Sequence, residues 1–263
     1  MFAPFASSTR LSAVSTAALA AAVSLIAASS ASAGVVAPLL TVGVTVTGDA
    51  PQSVSSTSGV SNGQGAFTYG GSIVSTAGNG WFVNWNLTGN DTSVVPNSPY
   101  ISTNFAVGNT GDATRTFQIL VAFASPVQVM PGVTSIAWNS VLSGVLSSNQ
   151  GGAASLVGLS PAMMECQING TGVVLNNPSV PGTNTASFFG PSTNFYDGPV
   201  PGGPNVSTIG YLMTFSLSGH STAVFNGSWS GTVVPAPGAL ALLGLAGTVA
   251  YRRTRPQGTD AAE

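Results

Sequence analysis

His220 is the only histidine in the chain and therefore the first residue to consider for acid–base chemistry. A nucleophilic site needs a base beside the nucleophile, and Ser218 and Ser221 are close to His220 in sequence. However, no G-x-S-x-G motif stands at a strand-to-helix turn to support a Ser-His-Asp site. Histidines in turns are usually solvated, so the sequence predicts no catalytic residue here.

Cys166, the only cysteine, is the second candidate. It alternates with Met164 and Ile168 on an apolar face of the stretch MMECQI. A reactive thiolate needs a basic neighbour, and the sequence around Cys166 offers none. The pattern predicts a small buried hydrophobic side chain.

Acidic residues could supply the carboxylate pair of a glycosidase, whose two carboxyl groups lie about 5–9.5 Å apart. Five acids fall between residues 34 and 234. Four of them stand in turn-like contexts, where aspartates usually cap turns through their own side chains: Asp49, Asp91, Asp112 and Asp197. We therefore predict that the protein is not an enzyme, with a hydrolase as the least favoured alternative.

The same loops carry oxygen donors that suit a calcium ion, which takes six to eight oxygen ligands. They are Asn90 with Asp91, and Asn109 with Asp112. Their spacing matches neither an EF-hand nor a nonapeptide calcium repeat. The sequence therefore predicts no cofactor and no metal site, with calcium as the minority alternative.

Aromatic residues bear on whether a sugar-binding platform is present. Trp81 and Trp85 share a face with aliphatic neighbours, which predicts that both belong to the core. A carbohydrate-binding module would need two or three aromatic rings side by side on an exposed face, and the freer candidates are Tyr69, Tyr100 and Tyr196.

The composition limits the partners of this protein. Only 5% of its 263 residues are charged, against about 25% in an ordinary soluble domain. The basic residues are all arginine, and Ser, Thr, Asn and Gly fill the polar positions. Such a surface offers no electrostatic field that attracts phosphates, which excludes nucleic acid as a partner.

The middle of the chain alternates between apolar and polar residues with a period of two, which is typical of half-buried antiparallel strands. The alternation is strongest over residues 81–87, 114–123, 211–217 and 222–233. Weaker strands are predicted near 39–47, 66–75, 101–108, 133–146, 153–159 and 163–175. Turn formers separate these segments, and the pattern predicts an all-β fold, an antiparallel β-sandwich of jelly-roll-like form. Residues 176–208, rich in Pro, Gly and Asn, are predicted to form a long irregular loop.

The N-terminus has the features of an export signal. Arg10 precedes an apolar, alanine-rich stretch over residues 11–28, and the small residues Ala31 and Ala33 form an A-x-A cleavage site. We predict a cleaved signal peptide over residues 1–33.

The C-terminus combines a proline motif, a short apolar run and a basic cluster. The run from Ala239 to Ala250 is shorter than the roughly 20 residues that span a bilayer, so insertion is marginal. Basic residues tend to stay in the cytoplasm, and three arginines follow the run: Arg252, Arg253 and Arg255. The predicted membrane segment is Gly238, Leu240, Leu242, Leu243, Leu245 and Val249.

The motif Pro235-Ala236-Pro237, the apolar helix and the arginine cluster together resemble the PEP-CTERM sorting signal of Gram-negative bacteria. This resemblance implies recognition by an exosortase, a membrane cysteine protease of transpeptidase type. The chain departs from the family at Ala236, where glutamate is usual. Residues 109–117 and 215–219 also resemble, more loosely, PEP-CTERM proteins with a single β-rich ectodomain, and that likeness implies no activity.

We therefore expect an exported protein of the cell envelope, outer surface or secreted fraction, with its unprocessed form in the inner membrane. Its expected role is structural or interactive, in biofilm or adhesion, and a carbohydrate-binding module is the alternative. The expected partners are exosortase and the secretory machinery, with envelope polysaccharide as a further candidate. The expected segments are a signal peptide (1–33), a β-sandwich ectodomain (34–232), a sorting signal (233–256) with transient or marginal membrane insertion, and a disordered tail (257–263).

Overall fold

The computed structural model describes residues 37–76, 78, 80–90, 99–128, 135–199 and 205–234. All fourteen elements in this part of the chain are β-strands. The signal-peptide residues Ala31 and Ala33, the motif Pro235–Pro237, the membrane segment from Gly238 to Val249 and the arginine cluster lie outside the described residues. The described part of the chain contains no helix with the length and apolarity needed to cross a bilayer.

The strands form two antiparallel sheets of seven strands each. The first sheet has the order β11-β10-β13-β7-β1-β2, with β9 also paired to β13. Its strands are β1 (Leu40–Val46), β2 (Gln52–Ser56), β7 (Arg115–Gln128), β9 (Leu156–Gly158), β10 (Met164–Ile168), β11 (Thr171–Asn176) and β13 (Asn205–Leu217).

The second sheet has the order β12-β8-β14-β6-β5-β4-β3. Its strands are β3 (Val60–Ser61), β4 (Ala66–Val74), β5 (Trp81–Asn90), β6 (Tyr100–Asn109), β8 (Ser135–Ser148), β12 (Ala186–Pro199) and β14 (Ser221–Val234). The all-β class and the antiparallel pairing that the sequence predicts are therefore confirmed.

The apolar faces of the two sheets pack against each other in one core. Phe215 on β13 contacts Phe225 on β14, with ring centroids 4.8 Å apart. Trp81 on β5 meets Phe117 on β7 edge to face at 6.3 Å. Contacts of this kind join strands of different sheets and make the described domain a sandwich.

The four strongest sequence patterns match the buried faces. Among the residues predicted to point inward, those whose side chains the structure describes are buried in each of these strands: Trp81, Val83, Trp85, Leu87, Phe117, Ile119, Val121, Phe123, Tyr211, Met213, Phe215, Leu217, Ala223, Phe225 and Trp229. The side chain of Val233, also predicted to point inward, lies outside the described part. In the last strand, Thr222 is also buried, although the alternation places it on the polar face.

The prediction of a long irregular loop over residues 176–208 is wrong for residues 186–199, which form strand β12 at the edge of the second sheet. It is also wrong for residues 205–208, with which β13 begins. Pro191 lies where the pairing with β8 shifts register, between Phe189 and Ser192. An edge strand tolerates proline at such a bulge, because only one side of the strand needs its hydrogen bonds.

The segment 163–175 differs as well, because it forms two strands instead of one. β10 and β11 make a hairpin whose turn contains Asn169 and Gly170, with φ angles of 51° and 76°. Asn-Gly is the preferred pair for such a turn, since both residues tolerate positive φ.

Candidate functional site

His220 lies at the tip of the β13–β14 connection, where its ring reaches a neighbouring loop. Its Nε2 is 2.7 Å from Oδ1 of Asp112, in the β6–β7 loop. The backbone is tied to the same loop, because His220 N donates to the Gly111 carbonyl. The backbone of His220 has a φ of 51°, in the left-handed region. A His–Asp hydrogen bond is therefore present at the surface, but it is made through Nε2, the nitrogen that faces the serine in a Ser-His-Asp triad.

The serines beside His220 make other contacts. Ser218 Oγ lies 2.8 Å from Ser221 Oγ and accepts a hydrogen bond from the Ser155 backbone N–H. Ser221 Oγ donates to the carbonyl of Gly219. Both hydroxyls thus fasten the turn, and the sequence prediction that His220 is a turn histidine agrees with its position.

Asp49 and Arg115 lie at the same end of the sandwich as the His220 pair, because Val46 of β1 pairs with Phe117 of β7. The Asp49 carboxylate accepts hydrogen bonds from Trp81 Nε1 and from Ser75 Oγ. Arg115 Nη1 donates to the carbonyl of Thr47. These side chains connect loops to each other, as expected of turn-capping residues.

The remaining described acids are on other elements. Glu165 on β10 accepts a hydrogen bond from Gln167 Nε2, and Asp197 is near the end of β12. Asp91 lies outside the described residues. Within the described ranges, no group of three or more His, Cys, Asp and Glu side chains is placed to hold a metal ion.

The two oxygen-donor pairs considered for calcium lie far apart. Asn90 ends β5, whereas Asn109 ends β6 opposite Trp81, the first residue of β5. Asn90 Oδ1 accepts from the Tyr100 backbone N–H. Asn109 is buried and its Nδ2 donates to the carbonyls of Ala113 and Leu217. Both asparagines thus brace neighbouring backbone, and calcium binding stays a minority prediction.

Cys166 is fully buried on the inner face of β10. Burial raises the pKa of its thiol to about 12, outweighing the hydrogen bond to Ser140 that lowers it. Ser140 Oγ also accepts from Asn176 Nδ2 at 2.6 Å, and Asn176 is buried too. A thiol with this pKa stays protonated near neutral pH and is a poor nucleophile.

The exposed aromatics are not the ones that the sequence singles out. Tyr69 is buried, with its hydroxyl donating to the Pro38 carbonyl. Tyr196 pairs with the buried Trp138, so it lies on the inner side of β12. The most exposed rings belong to Phe188 and Phe195 of β12, which are 82% and 75% accessible. The sequence predicts a loop over residues 176–208, and a loop prediction gives no strand register. Without a register, Phe188 and Phe195 cannot be placed on a face of the sheet.

The outer face of the second sheet carries two rows of neutral polar side chains across neighbouring strands. One row consists of amides and the other of hydroxyls. We call this surface the amide–hydroxyl face: Asn86, Asn104 and Asn226 in one row, and Thr68, Thr88, Ser102 and Ser228 in the next.

Hydrogen bonds run along both rows. Asn104 Nδ2 donates to Asn226 Oδ1 at 2.7 Å, and the hydroxyls of Thr68 and Thr88 are 3.3 Å apart. The three asparagines are exposed. Asp197 is the only charged residue in the described strands of this sheet. The face therefore offers many hydrogen-bonding groups and almost no charge.

A shallow groove of about 600 Å³ lies on the outer face of the first sheet. Small residues, among them Gly43, Ala122 and Gly210, leave room between Leu120 and Gln167. The described lining contains no charged residue, and His220 and Asp112 are not part of it. The groove has therefore no group able to perform acid–base chemistry.

Comparison with protein-family models, with curated proteins and with solved structures finds no match to this chain.

Proposed function

We propose that this protein is exported, sorted by an exosortase through its C-terminal signal, and displayed on or released from the cell envelope. The observation that carries the proposal is the order of three parts in the sequence: the motif Pro235–Pro237, a short apolar run, and the arginines from Arg252 to Arg255. A twelve-residue run suits a transient stop in the bilayer better than a permanent anchor.

The sandwich domain would then have a structural or interactive role in the surface matrix. Three features support this. The Cys166 thiol is buried with a raised pKa, His220 contacts Asp112 while its neighbouring serines fasten the turn, and the outer faces of both sheets are dominated by neutral residues. The described chain also changes sheet repeatedly, at β3, β7, β8, β9, β12, β13 and β14, which supports the jelly-roll-like interpretation.

A carbohydrate-binding module is the second candidate, favoured by the amide–hydroxyl face. In the described part of the chain, the His220–Asp112 hydrogen bond is the single feature that supports a hydrolase.

Intact-mass measurement of the protein from its native host, fraction by fraction, tests the sorting proposal. We expect a chain that starts near Gly34 and ends around Pro235–Pro237, in the surface or secreted fraction. A host lacking its exosortase provides the control and should retain the C-terminal segment. A chain that keeps Leu240 through Arg255 in the inner membrane of the normal host would contradict the proposal.

A further inference from the structure

We propose that the amide–hydroxyl face binds a neutral polysaccharide, with Asn104 and Asn226 contacting sugar hydroxyls and Phe195 contacting the C–H face of a sugar ring. This inference rests on the proposed envelope role and names the partner that the domain contacts there. It comes from the register of the second sheet, which brings these residues to one side.

The chemistry of the amide row suits hydroxyl groups. A side-chain amide offers two N–H donors and a carbonyl acceptor, while a sugar hydroxyl both donates and accepts. Asn104 and Asn226 use one donor and one acceptor on each other. Within the described part of the chain, Asn104 Oδ1 and Asn226 Nδ2 have no further hydrogen-bond partner. Both groups are therefore oriented by the existing bond and available for a ligand.

The spacing of the strands, and so of successive side chains along each row, suits a polymer. Adjacent strands lie about 4.8 Å apart, which is close to the length of one pyranose unit in an extended glycan. A glycan that crosses the strands would meet Asn86, Asn104 and Asn226 in turn, one strand per sugar, since these three residues are direct register partners. The neighbouring hydroxyl row runs parallel to it.

An aromatic ring stands at the edge of the same face. Phe195 pairs with Asn139, Asn139 pairs with Ser230, and Ser230 pairs with Tyr100. The ring therefore lies two strands beyond Asn226 and four residues along the strand direction from the amide row, where a glycan that leaves the row obliquely would reach it. The Phe195 ring is 75% exposed, so it contributes little to packing in the core. Aromatic rings bury apolar surface at low conformational cost, and the C–H faces of sugars supply such a surface.

The scarcity of charge decides the class of polysaccharide. Among the described strands of this sheet, Asp197 alone carries a charge, and it is negative. An acidic polysaccharide would find no cation here and would lose water around its carboxylates without compensation. A neutral glycan has no such cost, and its binding should be nearly independent of salt.

The test measures retention of the full chain on three soluble neutral glucans, dextran, laminarin and hydroxyethyl cellulose, and on the acidic glycan alginate, by affinity electrophoresis. We expect retention on at least one neutral glucan, unchanged by 0.5 M NaCl, and none on alginate. The double variant Asn104→Ala/Asn226→Ala should bind about tenfold more weakly, and Phe195→Ala should also weaken binding.

The matched control is Thr41→Ala/Ser55→Ala, which removes an exposed hydrogen-bonded pair, 3.0 Å apart, from the outer face of the first sheet. It should bind like the unmodified protein. Absence of retention on all three glucans, equal weakening by both double variants, or binding to alginate alone would overturn the proposal. So would a change of oligomeric state as the sole effect of Asn104→Ala/Asn226→Ala, which would indicate a second copy as the occupant.

Failure here is separable from failure of the sorting proposal. Correct processing at Pro235–Pro237 with no glucan retention would overturn only the glycan inference. Retention of the whole C-terminal segment in the host, with glucan binding intact, would overturn only the sorting proposal.

Discussion

Cys166 has no exposed surface, and burial raises the pKa of its thiol to about 12 from an ordinary value of 9.0. The folded thiol therefore keeps its proton where the unfolded thiol loses it. Between these two pH values the unfolded state binds fewer protons, so the free energy of unfolding falls as pH rises, by at most about 1.4 kcal/mol per pH unit. The slope is about half its maximum at pH 9 and fades within about one pH unit below it.

Urea unfolding at pH 8, 9 and 10, with and without Cys166→Ala, measures this effect. We expect the variant to lose part of the alkaline decline, whatever its stability at pH 8. The pKa of Tyr211 is also raised by burial, but its ordinary value of 10.0 places its contribution at higher pH. If the free energy of unfolding declined equally with pH in both proteins, Cys166 would not be buried as described.

Two phenylalanines of the second sheet should differ sharply in their contribution to stability. Phe225 is buried between Phe189 and Phe215, with ring centroids 5.6 Å and 4.8 Å away. Replacing it with alanine should cost about 3–5 kcal/mol, the range for large core aromatics. Phe195→Ala is the matched change on the surface and should cost little. Thermal or urea unfolding of the two variants would contradict the described packing if their losses were similar.

At the scale of elements, the turn between β13 and β14 depends on a glycine. A Cβ atom at Gly219 would lie 2.2 Å from the Asp112 carbonyl oxygen and 2.6 Å from that of Gly111. Both obstacles are backbone atoms, so the β6–β7 loop would have to move. We expect Gly219→Ala to destabilise the domain by about 1–3 kcal/mol, as overpacking does.

Gly152 is the control for this substitution, since a Cβ there would meet no atom within 4 Å. Gly152→Ala should leave the unfolding midpoint nearly unchanged. A loss of stability for Gly152→Ala that equals the loss for Gly219→Ala would mean that close backbone approach is not the cause.

Strands with one apolar face can be predicted from this sequence, and edge strands cannot. β5, β7, β13 and β14 bury about every second described side chain, so the sequence alone shows an alternation of apolar and polar residues. β12 lies at an edge and exposes most of its residues, so no alternation marks it. Its proline and glycine content indicates a loop unless the bulge beside β8 is known.

The candidate site is predictable to a similar degree. The buried Cys166 and the turn position of His220 follow from local pattern, because each depends on near neighbours in sequence. The amide–hydroxyl face does not, because Asn86, Asn104 and Asn226 come from three strands and their alignment is a matter of register. A shift of one residue in either pairing would turn these side chains to the other face.

At the scale of the whole molecule, most charged residues of the described part lie where loops contact each other. Asp49, Asp112, Arg115 and His220 all lie at one end of the sandwich, whereas the broad outer face of the second sheet is neutral apart from Asp197. This division leaves the faces available for neutral partners. It also leaves the three arginines near the C-terminus as the strongest cluster of positive charge in the sequence.

Those arginines provide the last prediction. The apolar run before them supplies marginal insertion energy, since each of its leucines contributes about 0.3–0.6 kcal/mol. Basic residues on the cytoplasmic side would then decide whether the chain stops in the membrane and is presented for cleavage. We expect Arg252→Asn/Arg253→Asn/Arg255→Asn to reduce the processed form at least tenfold in intact-mass analysis of host fractions. Asp260→Asn changes the charge of the same tail without touching the cluster and should leave processing intact. Normal cleavage of the triple variant would mean that the proline motif and the apolar run suffice, and the basic part of the proposed signal would have to be abandoned.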